Sequence, residues 1–256
     1  MSADVLGRIL ADKRARLARG EYAAAGAAAR PSDGASFTAS LREPGTRIVA
    51  EIKAKSPSAG EILSGADGKI ESFALHYRRG RAAAISVVIE ADHFGGRPEW
   101  LPRAKSISGL PVLMKDFVLS EKQLDFAVSL GADAVLLIVR ALSDEELGSL
   151  SRGARERGLA TVVEAHDEAE IARAAAVAPD VLGVNARNLA SFETDPARME
   201  SLARAIPAGP VPMAESGIRS RADVVRLSAA GYRAFLVGET LLRSEDPEDE
   251  LRSLRG

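Results

Sequence analysis

Cysteine is absent from the 256-residue chain, and its absence excludes both a disulfide framework and a thiolate nucleophile. No apolar run approaches the roughly 20 residues that a membrane-spanning helix needs. The N-terminus also lacks the charged, apolar and small-residue progression of a signal peptide. The net charge of −2 and the pI of about 6.0 argue against a nucleic-acid-binding surface. We therefore expect a soluble, cytoplasmic protein that binds neither nucleic acid nor membranes.

Signatures of several other enzyme classes are also missing. The three histidines, His76, His93 and His166, form no H-E-x-x-H motif or close ligand pair, which argues against a metal site. We interpret His76 as a helix-face residue and the other two as loop residues. There is no Walker A loop, no G-x-S-x-G elbow and no G-x-G-x-x-G turn. The Ser-Pro-Ser sequence at 56–58 has no accompanying His-Asp arrangement, so it indicates a shaped loop rather than a nucleophile.

Lysine is scarce, because only seven of the 34 basic residues are lysines. Arginine therefore supplies most of the positive surface charge. Three of the lysines, Lys53, Lys55 and Lys115, lie in or just after predicted strands. A lysine can lose its proton when it is desolvated, whereas an arginine effectively cannot. This biased use marks the three lysines as candidates for chemistry.

From residue 47 onward, short apolar runs alternate with amphipathic helical stretches. The predicted strands are 48–53, 83–89, 111–115, 134–139, 159–164, 181–184, 211–215 and 233–238. Among the helices between them, 120–131 begins with a Ser-x-x-Gln capping pattern, and 143–158 has the Ser143–Glu146 spacing of a capping box. Continuous apolar strands that alternate with helices predict a parallel sheet buried on both faces. Eight such units predict an α/β fold of the (β/α)8 TIM-barrel type, with a doubly wound open sheet as the alternative.

The segment before the barrel is a predicted N-terminal helical extension. The chain accordingly divides into an extension, 1–46, and a catalytic barrel domain, 47–256. Within the extension, residues 5–20 have the pattern of an amphipathic, basic helix, and residues 36–43 that of a second short helix. Such a segment either covers one end of the barrel or shields apolar surface elsewhere. The last stretch, 244–256, predicts a capped helix packed outside the barrel.

Polar residues and glycines follow most of the predicted strands. They are Glu51, Lys53, Lys55, Glu90, Lys115, Asp116, Glu164, Asn185, Arg187, Glu215, Ser216, Gly238 and Glu239. In a (β/α)8 barrel the C-terminal ends of the strands meet at one face, where active sites lie. A buried charge is costly unless it is paired. So many charges at one end indicate a catalytic cavity, with a structural salt-bridge network as the alternative.

Two glycines mark a predicted phosphate site. Gly217 and Gly238 each follow a strand and precede a helix, in the seventh and eighth units of the barrel. Glycine lets backbone N–H groups approach an anion closely, and a helix N-terminus favours negative charge. The loops after strands seven and eight are the recurrent phosphate site of this fold. The alternative is that both glycines are only turn residues and bind no phosphate.

Several motifs occur in the same order as in a known family. They are AEIKAKSPSAG, ISVVIEADHFGG, PVLMKDFVLSEKQ, GADAVLLIV, VVEAHDEAE, LGVNARNLASFETD, AESGI and FLVGETLL. Together they resemble indole-3-glycerol phosphate synthase across essentially the whole chain, including the N-terminal ILADKRARLAR helix. The resemblance implies a carbon–carbon lyase of tryptophan biosynthesis that needs no cofactor. Its small-molecule substrate would be 1-(2-carboxyphenylamino)-1-deoxyribulose 5-phosphate, closed to indole-3-glycerol phosphate with loss of CO2 and water.

The same resemblance implies roles for five catalytic residues, each of which moves or positions protons. Lys115 would be the general acid for ring closure. Glu164 would contribute to the later dehydration, as an acid or as a stabiliser of positive charge. Lys53 would hold the substrate and its phosphate, and Glu51 would orient the lysines. Asn185 would position the substrate.

Further residues are implied for binding. The substrate-binding set is Arg187, Ser216, Glu215, Ser56, Phe94 and Phe117, and the phosphate-binding set is Lys53, Gly217, Gly238 and Glu239. The planar fork of Arg187 suits the substrate carboxylate, and the two phenylalanines would border the anthranilate ring. Asp116 is expected to be structural support. Lys55 is expected either to line the active site or to lie at the surface in contact with solvent.

Three positions depart from the family pattern. Ile89 stands where relatives commonly have threonine, Met114 where arginine is frequent, and Ala59 where lysine is frequent. The first two are expected to reshape the cavity, which leaves open a specialised paralogue for a modified anthranilate-derived substrate. Two more hypotheses are a phosphate-binding barrel isomerase and a non-catalytic scaffold subunit. We expect a monomer, with a homodimer as the alternative.

Overall fold

Eight strands build the centre of the molecule. The computed structural model describes residues 5–24, 32–185 and 196–256. The strands are β1 (Arg47–Ile52), β2 (Ala84–Val88), β3 (Val112–Lys115), β4 (Ala134–Ile138), β5 (Ala160–Ala165), β6 (Val181–Asn185), β7 (Val211–Glu215) and β8 (Ala234–Val237). All neighbours are parallel, and β1 pairs with both β2 and β8, so the sheet closes into a barrel. The predicted strands and the (β/α)8 fold are therefore confirmed.

Helices surround this barrel, and their ends follow sequence signals. They are α1 (Val5–Ala18), α2 (Gly34–Arg42), α3 (Ile70–Arg79), α4 (Trp100–Ser108), α5 (Glu121–Leu130), α6 (Asp144–Glu156), α7 (Glu168–Ala176), α8 (Pro196–Ala203), α9 (Arg221–Ala230), α10 (Glu239–Arg243) and α11 (Pro247–Arg255). At α6, Ser143 and Glu146 form the predicted capping box. At α5, Ser120 is the N-cap, but Gln123 bonds to the backbone of Leu119 and Phe117 instead of completing a box.

The strand register brings the polar strand ends to one level. Glu164 in β5 pairs with Ile138 in β4 and with Gly183 in β6. Asn185, the last residue of β6, pairs with Glu215, the last residue of β7. Below this level most strand residues are apolar and buried, as a filled barrel interior requires. The polar side chains therefore lie above a packed core, at the carboxyl ends of the strands.

Helix α2 closes the opposite end of the barrel. Its Phe37 and Leu41 are buried, and its backbone lies so close to the start of β5 that a Cβ at Gly34 would overlap the amide of Ala160. The carboxylate of Asp133 fixes this approach, because it accepts the amide N–H preceding the helix, that of residue 33, at 2.9 Å. The second predicted helix of the extension thus covers the amino ends of the strands.

Helix α1 covers the carboxyl ends, on the side of the polar residues. Its Lys13 is fully buried and lies 2.6 Å from Oδ1 of Asp116, with the hydroxyl of Tyr22 at the same distance. Glu90 contributes a second carboxylate at 3.9 Å. Burial raises the pKa of Asp116, and Lys13 opposes that shift. Asp116 is therefore a structural anchor for α1, in agreement with its predicted role.

Replacing Lys13 by methionine is expected to lower the free energy of unfolding by about 3–5 kcal/mol, because it leaves Asp116 charged and buried without its partner. Denaturant unfolding measures the change. Lys122→Met, on an exposed position of α5, is the control and should leave stability nearly unchanged. Adding Asp116→Asn to Lys13→Met should recover part of the loss. Simple addition of the two single losses would contradict the ion-pair explanation.

The end of the chain packs against the outside of the barrel. Helix α11 lies against α3, α9 and β1, and its Leu251 and Leu254 are buried. Asp246 caps its first turn by accepting the amides of Glu248 and Asp249. The predicted terminal helix is confirmed. Among the helices that the structure describes, none combines the length and apolar character needed to cross a membrane.

Candidate active site

A cavity of about 380 Å³ opens at the carboxyl ends of the strands. Its floor comes from the ends of the barrel strands, and its rim from the loops that follow them and from α1. The volume falls within the range of ordinary small-molecule sites. We distinguish three regions: a charged centre, an apolar end, and the predicted phosphate site at the loops after β7 and β8, which we call the phosphate end.

The charged centre consists of a lysine between carboxylates. Nζ of Lys115 lies 2.5 Å from Oε2 of Glu215 and 3.6 Å from Oε2 of Glu164. The three side chains come from β3, β7 and β5, so only the closed barrel brings them together. The Lys115 side chain is 16% exposed, and this remaining exposure faces the cavity. The adjacent Asp116 is not part of this centre, because it pairs with Lys13 of α1.

The protonation states of this centre follow from burial and charge. Burial alone lowers the pKa of Lys115, but the carboxylates of Glu215, Glu164 and Glu51 raise it above its ordinary value. Burial raises the pKa of Glu215 to about 7, with Lys115 opposing and Glu164 adding to the increase. Burial also acts to raise the pKa of Glu164, yet His166 and Lys115 lower it well below its usual range. The centre thus holds a protonated lysine, an ionised Glu164 and a Glu215 that titrates near neutrality.

A second ion pair borders this centre. Nζ of Lys53 lies 2.6 Å from Oε1 of Glu51. Burial would raise the pKa of Glu51, but Lys53 and Lys115 together lower it. The carbonyl oxygen of Glu51 accepts a hydrogen bond from the buried Tyr77 hydroxyl, which fixes the end of β1. Glu51 is therefore an anion held in place between two lysines.

Close packing fixes Glu215. Gly183 in the neighbouring strand β6 leaves room for the carboxylate, and a Cβ at that position would overlap Oε1 of Glu215. This oxygen is buried and makes no hydrogen bond to any residue that the structure describes. The position of Glu215 is set by its contact with Lys115 and by the absent side chain of Gly183.

The phosphate end lies at the loops after β7 and β8. Ser216 and Gly217 both have left-handed backbone conformations, with φ of 70° and 74°. This conformation is uncommon and strained for a serine and easy for glycine. Gly238 is needed for space instead, since a Cβ there would lie 2.7 Å from Oε1 of Glu51 and 3.2 Å from Nζ of Lys53. Glu239 also lines this end and begins α10.

Gly238→Ala is expected to raise KM about tenfold, because one charge-assisted hydrogen bond to an anion at the predicted phosphate site would be lost. The added methyl group would collide with the Glu51–Lys53 pair and displace it, so kcat is expected to fall as well. Steady-state kinetics measure both effects. Gly148→Ala, a helical position in α6, is the control and should leave KM unchanged while slightly stabilising the protein. An unchanged KM in Gly238→Ala would show that this loop does not bind phosphate.

The apolar end carries the two predicted aromatic residues. The rings of Phe94 and Phe117 lie 6.2 Å apart at an interplanar angle of 41°. Leu6 and Ile9 of α1 also line the cavity, so the N-terminal helix contributes part of the wall. An aromatic ring of a ligand therefore has an apolar surface to pack against.

The predicted residues fall into three groups. The cavity is lined by Glu51, Lys53, Ser56, Phe94, Lys115, Phe117, Glu164, Asn185, Glu215, Ser216, Gly217, Gly238 and Glu239. Lys55 does not line it, since its Nζ bonds to the carbonyl of Asp92 at the surface. Arg187 lies outside the described residues. Ile89 and Met114 are buried in the protein core and are not among the cavity-lining residues, so the expectation that they reshape the cavity is not supported.

Sequence reasoning missed several residues of the cavity and its surroundings. Arg219, Thr240 and Arg243 line the phosphate end. Their signal was weak, because polar residues in helical turns are common. His166 was assigned to a loop, yet it is buried directly beside Glu164. The available signal for His166 was its place two residues after a strand-end acid.

The closed barrel and its lysine–carboxylate centre are those of a (β/α)8-barrel enzyme equipped for acid–base chemistry. Residues 6–254 match the family model of indole-3-glycerol phosphate synthase. The chain belongs to this family.

Curated relatives agree over almost the whole chain. It is 41% identical over 241 residues to indole-3-glycerol phosphate synthase of Micrococcus luteus, covering 94% of this chain and 88% of that one. It is 39% identical over 263 residues to the enzyme of the same name from Aromatoleum aromaticum, covering 99% of both chains. Indole-3-glycerol phosphate synthase 2 of Streptomyces coelicolor is 42% identical over 220 residues, covering 86% of this chain and 84% of that one.

Solved structures of other enzymes share the fold. Thiamine phosphate pyrophosphorylase from Pyrococcus furiosus superposes with a TM-score of 0.60 at 14% identity, covering 86% of this chain and 96% of that one. Orotidine 5'-phosphate decarboxylase from Pyrococcus horikoshii gives a TM-score of 0.60 at 15% identity, covering 82% and 99%. At such low identity these likenesses show the barrel fold alone.

Proposed function

We propose that this cavity closes 1-(2-carboxyphenylamino)-1-deoxyribulose 5-phosphate to indole-3-glycerol phosphate, the reaction of the family. The observation that carries the proposal is the position of the Lys115 ammonium, 2.5 Å from Glu215 and 3.6 Å from Glu164. The same cavity is lined by the loops after β7 and β8 and by Phe94 and Phe117. These groups suit the three parts of the substrate, because the ammonium can meet the ketone, the glycine loops the phosphate and the aromatic side chains the anthranilate ring.

The chemistry requires three changes in order. The ring carbon that bears the carboxylate attacks the ketone carbon, and the ketone oxygen takes a proton to become a hydroxyl. The bond to the carboxylate then breaks, CO2 leaves, and its electron pair restores the aromatic ring. Finally the hydroxyl leaves with a proton as water, pushed by the nitrogen lone pair, and loss of the remaining proton gives the indole. The first and third changes each need a proton donor.

Lys115 serves as the donor for ring closure. Its pKa is raised by the surrounding carboxylates, so it is protonated at neutral pH and carries the proton that the ketone oxygen needs. Glu215, which contacts Nζ and whose pKa is raised by burial, is the group placed to return a proton to it. The ammonium also neutralises the developing negative charge on the ketone oxygen.

Glu164 acts as a carboxylate. The resemblance left open whether it is an acid or a stabiliser of positive charge. Its lowered pKa favours the second role, since an ionised carboxylate stabilises the positive charge that develops on the substrate nitrogen as the hydroxyl leaves. Lys53, held by Glu51 at 2.6 Å, is then the group placed to donate a proton in dehydration.

The binding residues keep the roles that the resemblance implies. Gly217, Gly238 and Glu239 offer the phosphate backbone N–H groups, while Asn185 and Ser216 position the sugar chain. Phe94 and Phe117 pack on the anthranilate ring, with Ser56 at the rim. Arg187 is the proposed partner of the substrate carboxylate. Because Ile89 and Met114 lie in the core, the unmodified anthranilate-derived substrate is preferred over a modified one.

An assay on the purified protein tests this function. The phosphorylated ketone is added, and indole fluorescence and CO2 are followed together. We expect both products to form in equal amounts. An isomerase would consume the compound without releasing CO2. Binding without turnover would favour a modified substrate or a scaffold role and would overturn the proposal.

Three expectations from the sequence stay predictions. They are the cytoplasmic location, the monomeric state with a homodimer as the alternative, and the division into an extension, 1–46, and a barrel domain, 47–256. Sedimentation analysis measures the oligomeric state directly.

A further inference from the structure

A buried histidine lies directly behind the catalytic carboxylate. His166 follows β5 and is 4% exposed. Its Nε2 lies 3.3 Å from Oε1 of Glu164, and its Nδ1 lies 3.1 Å from Oε2 of Glu170 in α7. Nε2 and Oε1 of Glu164 lie within ion-pair distance, although their alignment does not meet that of a hydrogen bond. The mechanism above makes no use of this ring.

The histidine belongs to a row of alternating charges. Arg140 pairs with Oε1 of Glu170 at 2.9 Å, and the other oxygen of Glu170 faces His166. Beyond the ring, the second oxygen of Glu164 faces Lys115 at 3.6 Å. The row runs from a partly exposed arginine to the catalytic lysine. Each buried charge in it has a neighbour of opposite sign on both sides, as the desolvation cost requires.

A purely structural role for the ring is already filled by other groups. The backbone N–H of His166, which any residue would supply, donates to Glu170 at 2.9 Å. Asp167 caps α7 by accepting the amide of Glu170 at 2.8 Å. Arg140 holds the remaining oxygen of Glu170. The start of α7 is thus fixed without the imidazole, and the ring is left to act on Glu164.

We propose that His166 is a positioning residue that, clamped as an imidazolium by Glu170, keeps Glu164 ionised and aimed at the reacting centre. The inference rests on the proposed function, in which Glu164 acts as a carboxylate. It assigns His166 no contact with the substrate. It extends the catalytic machinery outward by two residues, His166 and Glu170.

The electrostatics agree with this geometry. Burial acts to lower the pKa of His166, but Glu164 and Glu170 raise it to about 9. The charged groups facing the ring and its backbone are Glu164 from β5, Glu170 from α7, Arg140 from the turn after β4 and Arg198 from α8. Two anions contact the ring nitrogens directly. The ring is therefore positively charged across the neutral range.

Kinetics of His166→Gln test the proposal. We expect kcat to fall about 10- to 100-fold, as for a displaced catalytic group, with little change in KM. Without the imidazolium, the pKa of Glu164 rises, so the acid limb of the kcat profile moves to higher pH by about 1–3 units. Glu168→Gln, an exposed position in the same helical turn, is the control and should change neither quantity.

A second measurement is independent of activity. The imidazole nitrogen signals of His166 are titrated by NMR in the wild type and in Glu170→Gln. We expect a wild-type midpoint near pH 9 that falls by about 1–3 units in the variant, because an adjacent anion is lost. This titration can be measured even if the wild type does not form indole-3-glycerol phosphate. A failure of the proposed function can therefore be distinguished from a failure of the proposed role of Glu170 and His166.

Three results would overturn the inference. The first is a wild-type His166 that titrates near 6.5 or below, because the ring would then be neutral beside Glu164. The second is a His166→Gln variant with unchanged kcat. The third is a fall in kcat without movement of the acid limb, which would mean that the ring serves packing alone.

Discussion

We expect Lys115→Met to reduce kcat by about 10²- to 10⁴-fold, the contribution of a general acid. The ammonium is the proposed donor at the ketone, and methionine replaces it with a side chain of similar length that has no acidic proton. The variant also leaves Glu215, Glu164 and Glu51 without their shared cation. Their pKa values rise as a result, so Glu164 is less readily ionised. The first change acts on ring closure, and the second acts on the dehydration.

A matched variant distinguishes the loss of the donated proton from the loss of positive charge at position 115. Lys115→Arg keeps a cation between Glu215 and Glu164, so thermal denaturation should show a folded protein of nearly wild-type stability. The guanidinium effectively does not give up its proton, so kcat should remain low. Single-turnover measurement of CO2 release in all three proteins gives the comparison. If Lys115→Met retained more than about a tenth of the wild-type kcat, Lys115 would not be the principal acid.

Gly183→Ala is expected to lower kcat about 10²-fold, the effect of misplacing a reacting group by about 1 Å. The new methyl group overlaps Oε1 of Glu215, which must move away. Its other oxygen then leaves Lys115, from which it is now 2.5 Å distant. The lysine loses its proton source and its orientation, although neither charged residue has been changed.

A second glycine provides the control for this variant. Gly68 has no neighbour within 4 Å of a Cβ added there and does not have a left-handed backbone. Gly68→Ala should therefore leave kcat unchanged. Steady-state kinetics and a crystal structure of Gly183→Ala complete the test. A variant with normal kcat and Glu215 still in contact with Lys115 would contradict the account of how Glu215 is placed.

The strands of the barrel were readable from the sequence because each is a short, continuous apolar run. Runs such as 134–139 are buried on both faces, so no surface residue interrupts the pattern. The acids and amines after these runs stand out for the same reason. Once the fold is a barrel, they must converge at one end, and the cavity does contain Lys115, Glu164 and Glu215.

Residues whose roles depend on how neighbouring elements pack could not be predicted from the sequence. Lys13 meets Asp116 only because α1 crosses the carboxyl end of the barrel, a contact over 103 positions. Nothing in the sequence distinguishes Gly183 from other glycines in strands. Its role is visible only in the structure, where the carboxylate of Glu215 occupies the space of the missing side chain. The ring of His166 is stabilised in its protonated form by Glu164 and Glu170, and Glu170 reaches it only because α7 begins at this point. In each case the chemistry depends on packing rather than on local pattern.

The most direct test of the central claim is a crystal structure with a substrate analogue in which the ketone is reduced to an alcohol. We predict that Nζ of Lys115 lies within hydrogen-bond distance of the alcohol oxygen, about 3 Å. The phosphate should contact the backbone of Gly217 and Gly238, and the aromatic ring should lie beside Phe94 and Phe117. A complex with the phosphate at the opposite end, or with the alcohol oxygen out of reach of Lys115, would contradict the account.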